Sequence, residues 1–480
     1  MICVTGLEKQ TCDLLSRLEA CSAFGLQEVR LDALEDELPS AAALPVPPGN
    51  LLITCRRTSD GGLFKGPENE RFLRLEKALQ LKPGWIDLEA DITDEKEKLL
   101  IERARVFGVR TLRSLHQFET AEAGTILKAL ARLSGIAGDG IKLAVSVDDM
   151  IRLDEFFTAP RARPAVLIGM GPAGVLSRAL YRRFHSAWTY ISAEPWPDRE
   201  AWIPDLSDAW LWNMPVNDTA RLLVLLGGPS IVHSPGPPVY NRLFREREAN
   251  ALYLPAITEC LEPAFSLLSR LKFSGASVTI PHKIQALNLA DDLEKEVRLC
   301  GSLNTLHQVP DGRWRGANTD ITAVRSLTQR LAPRPFLRGV VMGTGGLARA
   351  CAFALTSKGI AVALVGRKVL LDDGPWIKSW PISELSGMEF DILINATPVG
   401  LDPSDDPLLP EEVSLKDKVV IDAVLSRSPT PLVTRARSEG AHVADGMQFW
   451  CEQGAEQMRR FNEPPVTPQR LAELAKSANG

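Results

Sequence analysis

Eight short runs of apolar and β-branched residues recur through residues 1–215: "ICVTG" from residue 2, "LQEVRLD" from 26, "LLITCRR" from 51, "WIDLEAD" from 85, "VRTLRSLH" from 109, "GIKLAVSV" from 140, "AVLIGMG" from 165 and "AWTYISA" from 187. Between them lie segments such as "NERFLRLEKALQ", "EKEKLLIERARVFG" and "TAEAGTILKALARL", whose apolar residues return every three or four positions, as an amphipathic helix requires. Strand and helix alternating eight times predict a (β/α)8 barrel, in which reactive groups stand at the C-terminal ends of the strands around one mouth.

Polar residues occupy those ends. Arg30 closes the second run, Arg56 the third, Glu89 the fourth, His116 the fifth and Ser192 the eighth, while Lys142 lies inside the sixth. Arg178 follows the seventh, in "GMGPAGVLSR", where a glycine turn leads into a helix start suited to a planar guanidinium meeting a carboxylate. Lys142 has two readings. An amine in a buried strand either bends back to solvent or pairs with a carboxylate, or it is desolvated, loses its proton near neutral pH and attacks carbonyls to form a Schiff base. The barrel places His116 and Lys142 on adjacent strands with Arg30, Arg56 and Arg178 around them, and neighbouring cations depress an amine's pKa, which favours the second reading.

At 480 residues the chain exceeds what one core supports, so two or three domains are expected. A net charge of −5 without a Lys/Arg run points to small molecules as partners, and away from nucleic acid or a membrane surface. The eight cysteines show no CxxC pairing and no histidine nearby, so neither a metal site nor a disulfide framework is expected. The opening "MICVTGLEKQ" lacks a basic flank and a long apolar stretch, and no later segment approaches the roughly 18 apolar residues of a membrane span, so a cytoplasmic location is expected.

Taken together, "QEVRLD", "TCRRTSDGG", "RSLH", "GIKLAV" and "GMGPAGVLSR" resemble the type I 3-dehydroquinate dehydratases over essentially all of residues 1–215. The resemblance implies that Lys142 forms an imine with the substrate ketone and that His116 moves protons during imine formation, α-proton removal and loss of water. It further assigns Glu28 and Arg30 to hydroxyl contacts and to orienting His116 or the substrate, Arg56 to the ring, Arg178 to the carboxylate, and Thr5 to the place of a first-strand serine. Ser192 survives from the family's lid, but "SAEPWPDRE" has no counterpart of the lid glutamine, and Asp60 stands where the family commonly has glutamate. A Schiff-base aldolase on the same barrel is the alternative.

Residues 194–219 concentrate Pro, Trp and Asp without a sustained period, which places a domain boundary near 215 and the tryptophans at an interdomain surface. Beyond it, "SGASVTIPHK", "CGSLNTL" and "GANTD" end strands or form turns carrying Thr279, Lys283, Asn304 and Asp320, a set able to surround a polyhydroxylated acid, although taken separately each is more often an ordinary turn residue. "GVVMGTGGLARA" runs strand, glycine turn, helix, with Gly343, Gly345 and Gly346 where a dinucleotide pyrophosphate approaches a helix N-terminus. The next strand, "IAVALVGRK", ends in Arg367 and Lys368 instead of an acid, which favours the 2′-phosphate of NADP.

With "INATPVG" and "EQGAE", these motifs resemble the shikimate dehydrogenases over residues 220–470. The resemblance implies Lys283 and Asp320 as the catalytic pair, Ser234, Thr279, Asn304 and Gln453 as holders of the substrate's hydroxyls and carboxylate, and NADP contacts from Gly343, Thr344, Gly345, Gly346, Leu347, Arg367, Lys368, Thr397 and Gly446. Gly236, Leu425 and Gly366 replace a serine, a tyrosine and an asparagine usual in that family. The expected architecture is α/β: a barrel over 1–215, a substrate domain over 216–330 completed by helices over 446–480, and a Rossmann-type NADP domain over 331–445. Since the product of the first family is the substrate of the second, 3-dehydroquinate, 3-dehydroshikimate and shikimate are the expected small molecules, on a monomer or a homodimer. A quinate- or NAD-preferring second half, and a second half that only binds nucleotide or a protein, are the competing expectations.

Overall fold

Strict alternation within each strand organises the first half. A computed structural model of the chain describes all residues except 92–94, 160–162, 196–203, 205–217, 333–334, 368–377, 403, 406–407 and 479–480. Most of the expected tryptophan-rich boundary segment thus lies outside the described residues. The chain divides into two compact units, Met1–Ala220 with Glu248–Leu271, and Arg221–Arg247 with Lys272–Gly480.

In the first unit, strands β1 (Ile2–Thr5), β2 (Gly25–Arg30), β3 (Leu51–Thr54), β4 (Trp85–Glu89), β5 (Arg110–Thr120), β6 (Gly140–Ser146), β7 (Ala165–Met170) and β8 (Thr189–Ser192) form one parallel sheet in the order β7-β6-β5-β4-β3-β2-β1-β8. The eight expected strands are all present, and the sheet curls into a nearly closed barrel. At the seam between β7 and β8 a side chain stands in for the ladder. The Ser186 hydroxyl accepts from the Leu167 N–H at 2.9 Å and donates to the Trp188 carbonyl at 2.9 Å, and Ala187 N–H reaches Ala165 O at 2.8 Å.

One set of alternate residues faces outward. Val29, Leu51, Ile53, Ile86 and Leu88 pack against Leu14 and Leu18 of α1 (Thr11–Ala20), Phe72 and Leu75 of α2 (Glu68–Ala78), and Leu100, Ile101 and Ala104 of α3 (Glu95–Val106). Each of these Val, Leu, Ile and Phe side chains contributes about 1.5–3 kcal/mol on burial. Helix α4 (Thr125–Ser134) buries Ile126, Ala129, Leu130 and Leu133, the spacing of one helical face. The other set points into the barrel, where Cys3, Leu26, Leu52, Leu112, Val166, Trp85 and Trp188 build an apolar floor, the two indoles 5.4 Å apart. Short helices α5 (Glu155–Thr158) and α6 (Val175–Ala179) complete the ring.

The stretch Glu248–Leu271, holding β10 (Ala251–Ile257) and α8 (Leu261–Arg270), belongs to this unit. Asp149, just beyond β6, accepts from the Thr258 hydroxyl and the Glu259 N–H at 3.0 Å each, and Arg270 pairs with Asp154 at 2.9 Å.

The second unit contains two sheets. In the first, β9 (Arg221–Gly227) runs parallel to β11 (Phe273–Val278), β11 is antiparallel to β13 (Thr305–Gln308), β13 antiparallel to β14 (Trp314–Ala317), and β14 parallel to β12 (Asp292–Leu293). Helix α7 (Gly236–Glu246) follows β9, and α9 (Lys295–Cys300) precedes β13. The other sheet is wholly parallel, ordered β17 (Lys378–Pro381), β16 (Ala361–Gly366), β15 (Arg338–Met342), β18 (Ile392–Asn395), β19 (Val419–Asp422), β20 (His442–Ala444). Relabelled along the chain this order is 3-2-1-4-5-6, that of a dinucleotide-binding fold. Val341, Ile392, Ile394, Val419 and Ile421 meet α10 (Thr319–Leu331), α11 (Gly346–Thr356) and α13 (Gly446–Arg460), while Val340, Met342, Leu393 and Val420 meet α12 (Pro431–Ser438) on the opposite face. Burial on both faces explains why these strands read as unbroken apolar runs. Helix α14 (Pro468–Ala478) ends the described chain.

Candidate active sites

Above the apolar floor, the same inward alternation that places Trp85 places Asp87 and Glu89, and the interior becomes charged. Thr5, Glu28, Arg30, Arg56, His116, Lys142 and Arg178 line a single cavity at the C-terminal ends of the strands, together with Asp60, Gly61, Phe118, Ala144, Ile168, Met170 and Tyr190. Ser192 is buried at the end of β8, where its N–H bonds to Pro204 O at 2.8 Å, and it is not part of that lining. The structure therefore brings together seven of the eight residues expected in the first half.

Lys142 is 4% exposed. Its Nζ lies 3.5 Å from Asp87 Oδ2 and 4.4 Å from the centroid of the Tyr190 ring. Burial, and then the Arg56 guanidinium, lower its pKa against the opposing pull of Asp87 and Glu28. The reading of a strand lysine turned toward solvent is thereby removed. Asp87 Oδ2 is also 3.1 Å from Arg56 Nη2, whose distance to Glu28 Oε1 is 3.8 Å.

Glu28 accepts from the Thr5 hydroxyl at 2.5 Å and the Thr54 hydroxyl at 2.8 Å. Burial raises its pKa, but Lys142, Arg56, Arg30 and the Thr5 hydroxyl outweigh that and bring it to about 2, so Glu28 is a fixed anion. Arg30 is held in a two-pronged pair by Asp32 at 2.9 and 2.6 Å. Burial takes the Arg178 guanidinium down to about 9. His116 is pushed well below the ordinary histidine value by burial and by the charges of Arg56, Lys142 and Arg30, so the ring is neutral near neutral pH. Neither ring nitrogen has a hydrogen-bond partner among the described residues, which leaves both available to a ligand.

Two residues escaped the sequence reading. Asp87 sits in "WIDLEAD", where the period of two puts 85, 87 and 89 on one face; its partners, Arg56 just beyond β3 and Lys142 on β6, follow only from the barrel's register. Tyr190 reads as an ordinary strand aromatic in "AWTYISA".

In the second unit, Lys283 Nζ lies 2.6 Å from Asp320 Oδ2, and Asn304 Nδ2 donates to the other carboxylate oxygen at 2.9 Å. Asp320 is set by the start of α10, where the Asn318 side chain caps the helix by accepting from the Asp320 N–H at 3.1 Å. Gln453 Oε1 closes the group, 3.5 Å from Asn304 Nδ2 and 3.3 Å from the Thr319 hydroxyl. Lys283, Asp320, Asn304 and Gln453 thus form one connected network. Ser234 accepts from the Gly236 N–H at 3.2 Å, and the Thr279 N–H donates to Leu226 O at 3.0 Å; among the described residues neither side chain is bonded to the pair.

The glycine turn lies beside this network. Gly343 has φ +111°, a backbone that only glycine adopts freely, and a side chain there would meet Ala396 O at 3.0 Å and Thr397 Cγ2 at 3.3 Å. At Gly346, the first residue of α11, a Cβ would come within 2.7 Å of Lys283 Cβ, whereas at Gly345 it would meet nothing within 4 Å. Thr344 and Leu347 flank that opening, Thr397 is held by Asn395 at 3.0 and 2.7 Å, and Gly446 opens α13 behind the Asp445 cap. Arg367 is exposed at the end of β16; Lys368 lies outside the described residues. A helix N-terminus left open at Gly345 by the described residues, with an exposed cation following the second strand, fits a dinucleotide carrying a 2′-phosphate. Among the described residues no group of His, Cys, Asp and Glu is placed to hold a metal, and no helix is long and apolar enough to cross a membrane.

Comparison with known proteins matches residues 2–198 to the type I 3-dehydroquinase family and residues 226–306 to the shikimate dehydrogenase substrate binding domain. The chloroplastic bifunctional 3-dehydroquinate dehydratase/shikimate dehydrogenase of Arabidopsis thaliana is 28% identical over 477 residues, covering 92% of this chain and 78% of that protein. The NADP(+) shikimate dehydrogenase of Microcystis aeruginosa is 31% identical over 277 residues, covering 52% of this chain and 94% of that protein. That of Salinibacter ruber is 32% identical over 277 residues, covering 52% and 95%. The chain belongs to the shikimate dehydrogenase family by its second half and carries a type I 3-dehydroquinase barrel as its first.

Proposed function

We propose that the chain catalyses two consecutive steps in the cytoplasm: dehydration of 3-dehydroquinate to 3-dehydroshikimate in the barrel, and NADPH-dependent reduction of that product to shikimate in the second unit. The observation that carries the first step is the buried Lys142 amine, its pKa lowered, in a cavity with an imidazole whose nitrogens both lack a partner among the described residues.

Neutral Lys142 Nζ attacks the ketone carbon, the resulting carbinolamine takes up one proton from solvent and loses water, and a protonated imine remains; hydrolysis of the imine later returns that proton. That cation withdraws electrons from the adjacent C–H bond. His116, neutral at working pH, takes the proton and delivers it to the departing hydroxyl, which leaves as water. Hydrolysis of the imine restores the amine and releases the enone, so the net change is the loss of one water. Glu28, ionised and steadied by two threonine hydroxyls, accepts from substrate hydroxyls; Arg178 meets the carboxylate; Arg30 and Arg56 flank the ring.

In the second unit NADPH, when bound, supplies a hydride. Lys283 donates a proton to the carbonyl oxygen, and Asp320 holds the ammonium in place by the 2.6 Å contact while Asn304 fixes the carboxylate's other oxygen. Asn304 and Gln453, with Ser234 and Thr279, hold the substrate's hydroxyls and carboxylate. The Gly343, Thr344, Gly345, Gly346 and Leu347 turn takes the pyrophosphate, Arg367 and Lys368 the 2′-phosphate, and Thr397 and Gly446 the nicotinamide side.

Purified chain given 3-dehydroquinate and NADPH is expected to consume nicotinamide absorbance, and Lys142→Ala or Lys283→Met to abolish that consumption. An unaltered rate in Lys142→Ala would overturn the reading.

A further inference from the structure

We propose that the face of the Tyr190 ring is a catalytic contact of the barrel reaction, carrying the positive charge of the Lys142 nitrogen once that nitrogen is part of the imine. This inference rests on the imine reading of Lys142 and assigns a role to a residue beside it.

The geometry is direct. Tyr190 stands on β8 with its ring turned into the barrel, 5% exposed, and lines the cavity that Lys142 and His116 line. Lys142 Nζ sits over the ring at 4.4 Å from the centroid, well inside the roughly 6 Å at which a cation is attracted by the ring quadrupole. On another side the nitrogen meets Asp87 Oδ2 at 3.5 Å, but that oxygen is closer to Arg56 Nη2, at 3.1 Å, and is already engaged.

The charge balance explains why a ring suits this position. Before capture the nitrogen must be a neutral amine; after capture it is a protonated imine, and the reaction depends on that charge persisting while the neighbouring proton leaves. A second carboxylate against the nitrogen would lock it as an ammonium ion and block attack. An aromatic face attracts the cation and cannot take its proton. The site is buried, so water does not compete for the charge, and the attraction has greatest weight there. The ring acts in both states. It also favours the ammonium form of the free amine, against burial and Arg56, so it speeds the steps after capture and slows capture itself at low pH.

Full-length chains with Tyr190 replaced by phenylalanine, by mono-, di- and trifluorophenylalanine, and by leucine separate this role from shape. Fluorination drains the ring quadrupole at almost constant size. Tyr190→Phe is expected to keep kcat for dehydration within about twofold, the fluorinated series to lower log kcat stepwise to about tenfold at the trifluoro ring, and Tyr190→Leu to lower it about 30-fold. Along the same series the acid limb of kcat/KM moves to lower pH. Shikimate oxidation by the same chains, whose residues lie in the other unit, is expected to stay constant, and an unchanged thermal midpoint of the barrel together with the Lys142 adduct reports that the barrel of each variant has folded. A flat kcat across the fluorinated series, or a Tyr190→Phe chain as slow as Tyr190→Leu, overturns the proposal. Borohydride with 3-dehydroquinate is run on each chain. If the unaltered chain gives no adduct on Lys142, the imine reading fails and this inference with it; if every chain gives the adduct while kcat stays flat, only the role of the ring fails.

Discussion

Asp87 Oδ2 lies 3.5 Å from Lys142 Nζ although β5 runs between their two strands. By register Asp87 is level with Leu112 and, through it, with Gly140; Lys142 is two residues further along β6, so the carboxylate reaches up to the amine across the stagger of the barrel. Asp87 raises the amine's pKa while burial and Arg56 lower it. Replacing Asp87 with asparagine is therefore expected to let Lys142 lose its proton at lower pH. The acid limb of kcat/KM for dehydration should move down by about one pH unit, since an opposite charge at this range shifts a pKa by about 1–3 units. A limb that stays in place or moves up would show that Asp87 is not the counter-charge.

The Lys283–Asp320 pair makes a prediction confined to the other activity. Asp320→Asn keeps the size of the side chain and removes the charge that holds the ammonium at 2.6 Å. Shikimate oxidation should fall about 10²–10³-fold in kcat, within the usual contribution of a positioned proton donor, with dehydration in the same preparation unchanged. Equal loss of both rates would point to unfolding.

Much of this was readable in the residues. The eight barrel strands announce themselves because each alternates between the helix layer and the interior, and the rim residues follow from where those runs end. The second sheet is as plain, since strands buried on both faces carry no polar interruption. Asp87 was not legible: in "WIDLEAD" three acids follow one another at alternate positions, and only the barrel stagger decides which one meets an amine two strands away. Tyr190 is similar, because β8 is bonded to β1 at one edge of the sheet and comes near Lys142 on β6 only when the sheet curls. Nor does any pattern in "AITECLEP" announce that Thr258 and Glu259 bond to Asp149 beyond β6.

Two adjacent glycines should respond differently to the same change. Gly346→Ala puts a methyl group 2.7 Å from Lys283 Cβ, so either α11 or the lysine must shift, and kcat for shikimate oxidation should fall about tenfold or more. At Gly345 the added methyl meets no atom of the described residues within 4 Å and instead enters the opening assigned to the pyrophosphate. Gly345→Ala should raise KM for NADP while leaving the thermal midpoint unchanged. Steady-state kinetics at several NADP concentrations distinguish the two, and matching defects would contradict the assignment of the opening.

Arg367 is exposed where β16 ends, as a contact to a 2′-phosphate requires. Arg367→Glu should raise KM for NADPH about tenfold or more, because a charge-assisted contact is replaced by repulsion, and should leave KM for NADH nearly unchanged. Parallel changes with both cofactors would place the 2′-phosphate elsewhere.

Both the barrel chemistry and the role of the Tyr190 ring require that Lys142, buried at the barrel mouth between Asp87 and that ring, captures a ketone. The most direct test of that capture is mass mapping of the whole chain after borohydride treatment in the presence of 3-dehydroquinate. One covalent increment is expected, on the peptide containing Lys142, absent from the Lys142→Ala chain. An increment on another lysine, or dehydration that proceeds at the normal rate with nothing trapped, would contradict it.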